Sequence, residues 1–180
     1  MSFMMNKDLY GLILAGGKSS RMGCDKRTIR IHTLDQQDYL NNLLSCYCGK
    51  VFVSCKNEDQ MSSHLNVLVD RFDLQSPLNG ILTALTHEEN RSWLIVAVDM
   101  PFVDKRSLET LIANRNKDCL VTCFRDSDGR LPDPLFGIWE SAALPPLMKY
   151  YKEGHVSPRK FLLTHNAQII DSSDKHFLVN

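Results

Sequence analysis

Trp93-Leu94-Ile95-Val96-Ala97-Val98 is apolar throughout and is closed by Asp99-Met100-Pro101. A short apolar run without polar alternation reads as a strand buried on both faces, as in the middle of a parallel sheet. Leu9-Tyr10-Gly11-Leu12-Ile13-Leu14 has the same character and is stopped by Gly16-Gly17. Working outward from these two, further strands are predicted at Lys50–Ser54, Asn66–Val69, Leu120–Phe124, Leu135–Trp139 and Ala167–Ile170. Helical spacing places Tyr39, Leu40, Leu43 and Leu44 on one helix from Asp35, and Ile81, Leu82 and Leu85 on another. Ser76-Pro77 predicts the start of that second helix, with Ser as cap and Pro at its first position. Asp104 caps a third helix through Asn114, and two more follow near Leu144–Tyr151 and after Ser157-Pro158. Strands alternating with helices predict an α/β fold, a three-layer α/β/α sandwich with a mainly parallel, Rossmann-like sheet.

The chain has 180 residues, 43% hydrophobic and 23% charged, with 21 basic against 21 acidic side chains. That length suits one domain with a real core, read here as 1–180 with a first half to about 105 and a second half from about 106. Zero net charge argues against a general nucleic-acid binder. No apolar run approaches the roughly 18 residues of a membrane span. Met1–Asp8 lacks the pattern of a signal peptide, so the expected location is cytoplasmic, with no nucleic-acid or membrane partner. The cysteines (Cys24, Cys46, Cys48, Cys55, Cys119, Cys123) are expected as thiols in a reducing compartment. Their spacings complete no zinc site, and the six histidines are scattered. Trp93, Trp139 and Tyr150-Tyr151 read as packing residues.

In such sheets, ligands bind beyond the carboxyl ends of the strands. Two features fall there: the loop after Leu14 and Asp99. The loop runs Ala15-Gly16-Gly17-Lys18-Ser19-Ser20-Arg21-Met22-Gly23-Cys24-Asp25-Lys26. Its glycines let backbone N–H groups approach a ligand closely. Lys18, Arg21, Lys26, Arg27 and Arg30 against Asp25 leave the stretch strongly cationic on a neutral chain. A triphosphate is the natural ligand. The loop is not a P-loop, because the glycine required five residues before Gly17-Lys18-Ser19 is Leu12.

The same residues resemble the signature of the molybdenum cofactor guanylyltransferase family, within the nucleotide-diphospho-sugar transferase-like superfamily. Leu14-Ala15-Gly16-Gly17, Arg21-Met22-Gly23 and Asp25-Lys26 carry it. The likeness continues through Val69-Asp70, Pro77-Leu78-Asn79-Gly80-Ile81, Val98-Asp99-Met100-Pro101-Phe102, Pro132-Asp133-Pro134-Leu135, and Gly154 through Ser157-Pro158-Arg159-Lys160. Ser76 stands where the family usually has Gly. Members of that family typically continue past the position of Leu178-Val179-Asn180 with Asn-Thr-Pro and a final helix, in which an Asn is often near the nucleotide and metal.

The resemblance implies transfer of GMP from GTP to the terminal phosphate of molybdopterin, with release of pyrophosphate and dependence on Mg²⁺. GTP is favoured because Leu-Ala-Gly-Gly resembles the guanylyl-type start, whereas cytidylyl-type relatives more often show Leu-Ala-Ala-Gly. It further implies that Leu14, Ala15, Gly16, Gly17 and Arg21 hold the nucleotide, that Lys26 reaches the α-phosphate, and that Ser54 and Asp70 contact the nucleoside. Asp99 is implied as both a catalytic residue and the metal ligand. Arg130, Arg159 and Lys160 are candidates for the acceptor side, with an ordinary surface role as the alternative. Molybdoenzymes or other cofactor-synthesis proteins are the implied docking partners. The chemistry brings two polyanions together: unit charges 4 Å apart repel by about 4 kcal/mol at an effective dielectric near 20. Cations and positioning are therefore the main tools. Cytidylyl transfer to the same cofactor, nucleotidyl transfer to a sugar phosphate, and a non-catalytic GTP-binding regulator stay open at this point.

Overall fold

The computed structural model of the protein describes residues 8–15, 35–56, 64–126 and 128–171. In chain order the elements are β1 (Leu9–Leu14), α1 (Gln36–Ser45), β2 (Val51–Cys55), β3 (Val67–Val69), α2 (Leu78–His87), β4 (Ser92–Ala97) and α3 (Lys105–Ala113). These are followed by β5 (Val121–Arg125), β6 (Pro132–Trp139), α4 (Leu144–Lys152), α5 (Pro158–Thr164) and β7 (Ala167–Ile170). The strands form one sheet in the order β3-β2-β1-β4-β6-β5-β7. All run parallel except β6, which is antiparallel to both of its neighbours.

Alternation along the strands builds the layers. Leu9 and Ile13 of β1 and Leu94 and Val96 of β4 pack with Leu40 and Leu44 of α1 and Leu108 and Leu111 of α3. Tyr10, Leu12 and Leu14 of β1, with Trp93 and Ile95 of β4, face α2, α4 and α5 through Ile81, Leu147 and Phe161. The period of two in a strand thus feeds two cores, one per face, which is the expected three-layer sandwich.

Local signals set the helix ends. The Asp35 carboxylate accepts the Asp38 N–H at 3.0 Å, and Asp104 and Ser107 form a reciprocal capping box. Ser157 caps α5 with Pro158 at its first position. Two boundaries differ from expectation. Pro77, with helical backbone angles, occupies the cap position of α2 in place of Ser76; the Ser76 hydroxyl still accepts the Leu78 N–H at 3.2 Å and donates to the Val156 carbonyl at 2.5 Å. Strand β6 starts at Pro132, three residues before the predicted Leu135, through an irregular register opposite Cys123–Arg125. Such a bulge tolerates prolines that a regular ladder would not.

The described cysteines, Cys46, Cys48, Cys55, Cys119 and Cys123, carry thiols. Burial pushes the Cys48 and Cys123 thiols up to about 12, so neither is a thiolate nucleophile. Among the described residues no helix is long and apolar enough to cross a membrane.

Candidate active site

The chain runs outward from β1 to β2 and β3, then crosses back to lay β4 on the other side of β1. The point where strand order reverses, between β1 and β4, opens a crevice at the carboxyl edge where such sheets bind ligands. Leu14 and Ala15 lie on one side of it and Asp99 on the other. The Val98 N–H donates to the Leu14 carbonyl at 3.1 Å, and the Ala15 N–H donates to the Ser54 carbonyl at 3.1 Å. The end of β1 is thereby fixed between β4 and β2 just before Gly16. A turn closed by the Met100 N–H on the Ala97 carbonyl at 3.2 Å places the half-buried Asp99 at the tip of β4. The Gln36 amide donates to the Met100 carbonyl at 3.1 Å, and the Tyr39 hydroxyl donates to Val103 at 3.0 Å. Helix α1 thus steadies the segment that carries Asp99.

On the other flank of β1, Ser54 and Asp70 meet. The Ser54 hydroxyl donates to the Asp70 carboxylate at 2.6 Å, and the Asp70 N–H donates to the Cys55 carbonyl at 2.9 Å. Burial pushes the Asp70 carboxyl above the usual range, with the Ser54 hydrogen bond and the Lys56 charge pulling the other way. Gly80 of α2 explains how close the helix comes. A Cβ there would stand 2.5 Å from Leu14 Cδ2 and 2.6 Å from Ser54 Oγ. Asn79 beside it holds the loop after Asp70. Its Oδ1 accepts the Phe72 N–H at 3.1 Å, and its Nδ2 donates to the carbonyls of Phe72 and Leu74. Thr83 completes the clamp by accepting the Arg71 N–H at 3.0 Å.

The acceptor candidates fall on the other half of the same edge. Arg130 is exposed, and its N–H donates to Asp126 Oδ1 at 3.0 Å. The Arg159 Nη1 lies 3.7 Å from Asp126 Oδ2. Lys160 is exposed, with its N–H donating to Ser157 Oγ at 3.3 Å. The Arg130 backbone N–H and the Arg159 guanidinium therefore meet the same carboxylate, one on each oxygen. Gly16, Gly17, Arg21 and Lys26 lie outside the described residues, as do Met22 and Gly23.

Two acidic residues at this edge were not singled out from the sequence. Asp133 is 5% exposed, and its Oδ1 accepts the Leu135 N–H at 2.9 Å. Burial pushes its carboxyl up. The Leu135 N–H and the Arg159 charge oppose that shift, while Asp126 and Asp99 add to it. Asp126, only 17% exposed, is held below the usual carboxylate range: desolvation pushes it up, but the N–H groups of Arg130 and Leu131, the Arg159 charge and the Gly129 N–H together outweigh it. The antiparallel β6 explains both positions, since its start shares an edge with the ends of β4 and β5. The Pro132-Asp133-Pro134 triplet was the available signal, because a carboxylate between two prolines at a strand start is held rigidly.

These elements define an α/β/α sandwich of the nucleotidyltransferase type, with its crevice at the β1/β4 reversal. The chain belongs to the MobA-like NTP transferase domain family, whose pattern matches residues 11–169. It is 35% identical over 175 residues to the molybdenum cofactor biosynthesis bifunctional protein of Synechocystis sp., covering 96% of this chain and 50% of that protein. The chain therefore spans about half the length of that relative. It is 30% identical to the molybdenum cofactor guanylyltransferase of Pseudomonas paraeruginosa, over 89% of this chain and 82% of that protein. The crystal structure of molybdopterin-guanine dinucleotide biosynthesis protein A from Archaeoglobus fulgidus superposes with a TM-score of 0.73 at 21% identity. It covers 90% of this chain and 83% of that one, a likeness of fold.

Proposed function

We infer that the protein transfers GMP from GTP to the terminal phosphate of molybdopterin and releases pyrophosphate. One observation carries the reading: in a MobA-like NTP transferase domain, Leu14-Ala15, the Ser54–Asp70 pair and Asp99 fall side by side at the carboxyl ends of β1, β2, β3 and β4. The nucleotide lies across the β1/β4 crevice. The loop leaving Ala15, through Gly16, Gly17 and Arg21, holds the triphosphate, and Lys26 stabilises charge on the α-phosphate. Ser54 and Asp70 face the nucleoside, with the carboxylate already oriented by the hydroxyl. Arg159 and Arg130 receive the acceptor phosphate, with Lys160 contributing charge nearby.

The donor set suits a hard divalent cation. Mg²⁺ is commonly held by one or two carboxylates plus substrate phosphates rather than by a complete protein cage. Asp99 offers such an oxygen at the crevice, and among the described residues no group of three or more acidic, His or Cys side chains forms a cage. Mg²⁺ held by Asp99 would neutralise charge on the triphosphate oxygens. Asp99 stands at the strand end, and Lys26 and Arg21 would supply cationic charge to the triphosphate.

The test incubates the protein with Mg²⁺, molybdopterin and either GTP or CTP, measuring pyrophosphate and nucleotide-linked pterin. GTP-dependent pyrophosphate with a guanylated pterin is the expected result. Release with CTP alone, or only when a sugar phosphate replaces molybdopterin, refutes the assignment.

A further inference from the structure

We propose that Asp126 is a positioning residue for the acceptor, its carboxylate holding the Arg159 guanidinium at the edge where the acceptor's phosphate docks. The inference rests on the acceptor reading of Arg159 given above. The two oxygens of Asp126 do separate things. Oδ1 accepts the N–H groups of Arg130 at 3.0 Å and Leu131 at 3.2 Å, closing the turn between β5 and β6. The backbone of Asp126 reinforces that turn, donating to the Leu131 carbonyl at 2.7 Å and accepting the Gly129 N–H at 2.8 Å. The carboxylate therefore cannot swing away. Oδ2 is left facing Arg159 Nη1 at 3.7 Å.

Arg159 comes from another element, near the start of α5, and is 42% exposed against 17% for Asp126. A long, half-exposed arginine loses much rotamer freedom when it is fixed, and a pre-fixed carboxylate reduces that cost for the incoming phosphate. The Arg159 charge also acts on the buried Asp133. The guanidinium pairs with Asp126, at the β5–β6 turn. It is paired loosely enough, at 3.7 Å rather than in a bidentate fork, to keep donors for a phosphate.

The test compares Asp126→Asn, Arg159→Gln and the double variant. Affinity for molybdopterin is read by its fluorescence, and affinity for GTP is measured separately. Asparagine keeps the Oδ1 acceptor that closes the turn and removes the charge facing Arg159. Asp126→Asn should weaken molybdopterin binding about 3- to 5-fold, the scale of an exposed ion pair, and leave GTP binding unchanged. Arg159→Gln should weaken molybdopterin binding at least as much, and the double variant should be no worse than Arg159→Gln alone. A double variant weaker by the product of the two single effects overturns the proposal, as does a parallel loss of GTP affinity. Parent-like binding by Asp126→Asn beside a weakened Arg159→Gln overturns it while leaving the acceptor reading intact. Parent-like binding by Arg159→Gln overturns both, and so does a parent protein that binds no molybdopterin.

Discussion

Replacing Gly80 by alanine tests how the sheet and α2 jointly build the nucleoside side of the crevice. The added methyl would lie 2.5 Å from Leu14 Cδ2, 2.6 Å from Ser54 Oγ and 3.2 Å from Ser54 Cβ. Leu14 is 7% exposed and Ser54 2%, so neither side chain has open space to enter. Inserting a methyl into a packed core costs about 1–3 kcal/mol. If Ser54 Oγ yields, its 2.6 Å hydrogen bond to Asp70 goes with it, and a bond to a charged group is worth about 1.5–3 kcal/mol. Alanine regains about 1 kcal/mol of helix propensity over glycine. The net expectation is a loss of about 1.5–5 kcal/mol, or about 3–20 °C in Tm for a chain of this size. Because the displaced hydroxyl orients Asp70, KM for the nucleotide should rise about tenfold, equivalent to about 1.4 kcal/mol. Thermal unfolding and steady-state kinetics read the two effects. Adding Ser54→Ala to Gly80→Ala relieves the hydroxyl clash, so part of the stability should return while KM stays high. A Gly80→Ala protein as stable as the parent and with unchanged KM would refute the packing argument.

Three further outcomes are expected beside the Asp126 series. Lys26→Ala should lower turnover on the order of 10²–10³-fold, the scale of losing one oriented charge-stabilising group; near-normal turnover in single-turnover assays removes Lys26 from the chemistry. Asp133 has its pKa raised in the folded protein chiefly by burial, so its contribution favours folding below the unfolded value of about 3.9 and is lost as pH climbs through the raised folded value. Asp133→Asn, which keeps an oxygen for the Leu135 N–H, should therefore melt higher than the parent at pH 7, with the gap closing near pH 3; a lower Tm at pH 7 contradicts this. Arg115 and Glu140, each 7% exposed and joined by two 2.7 Å hydrogen bonds, lie at the opposite edge of the sheet where Ser92 also donates to Glu140. Arg115→Ala leaves a buried carboxylate short of its partner and should cost about 3–5 kcal/mol in chemical denaturation without altering KM.

Much of the architecture is legible from one sequence because the strands are buried on both faces. Leu9–Leu14 and the Trp93 run could belong only to the middle of a sheet, and both lie there. The loop after β1 and Asp99 after β4 were legible as features of strand ends, whereas Ser54 and Asp70 were singled out only through the family resemblance. What escaped reading depends on direction and register. Nothing local in Leu135–Trp139 reveals that β6 runs backwards between β4 and β5. Without that reversal, Asp133 and Asp126 have no reason to stand near Asp99 or Arg159. At α2 the expected start moved by one residue, to Pro77, while Ser76 still accepts the Leu78 N–H; its further bond to Val156, eighty residues on, is a contact no window of sequence contains.

The Asn79 clamp has a consequence for any exchange of the segment that follows Asp70. One amide shapes the segment from Phe72 to Leu74, and Thr83 one turn later fixes Arg71. The loop's conformation is thus encoded in the helix that follows it rather than in the loop itself. Grafting only residues 70–76 from a relative would transplant letters without their template. A chimera that exchanges this segment must carry residues 70–83 as one cassette.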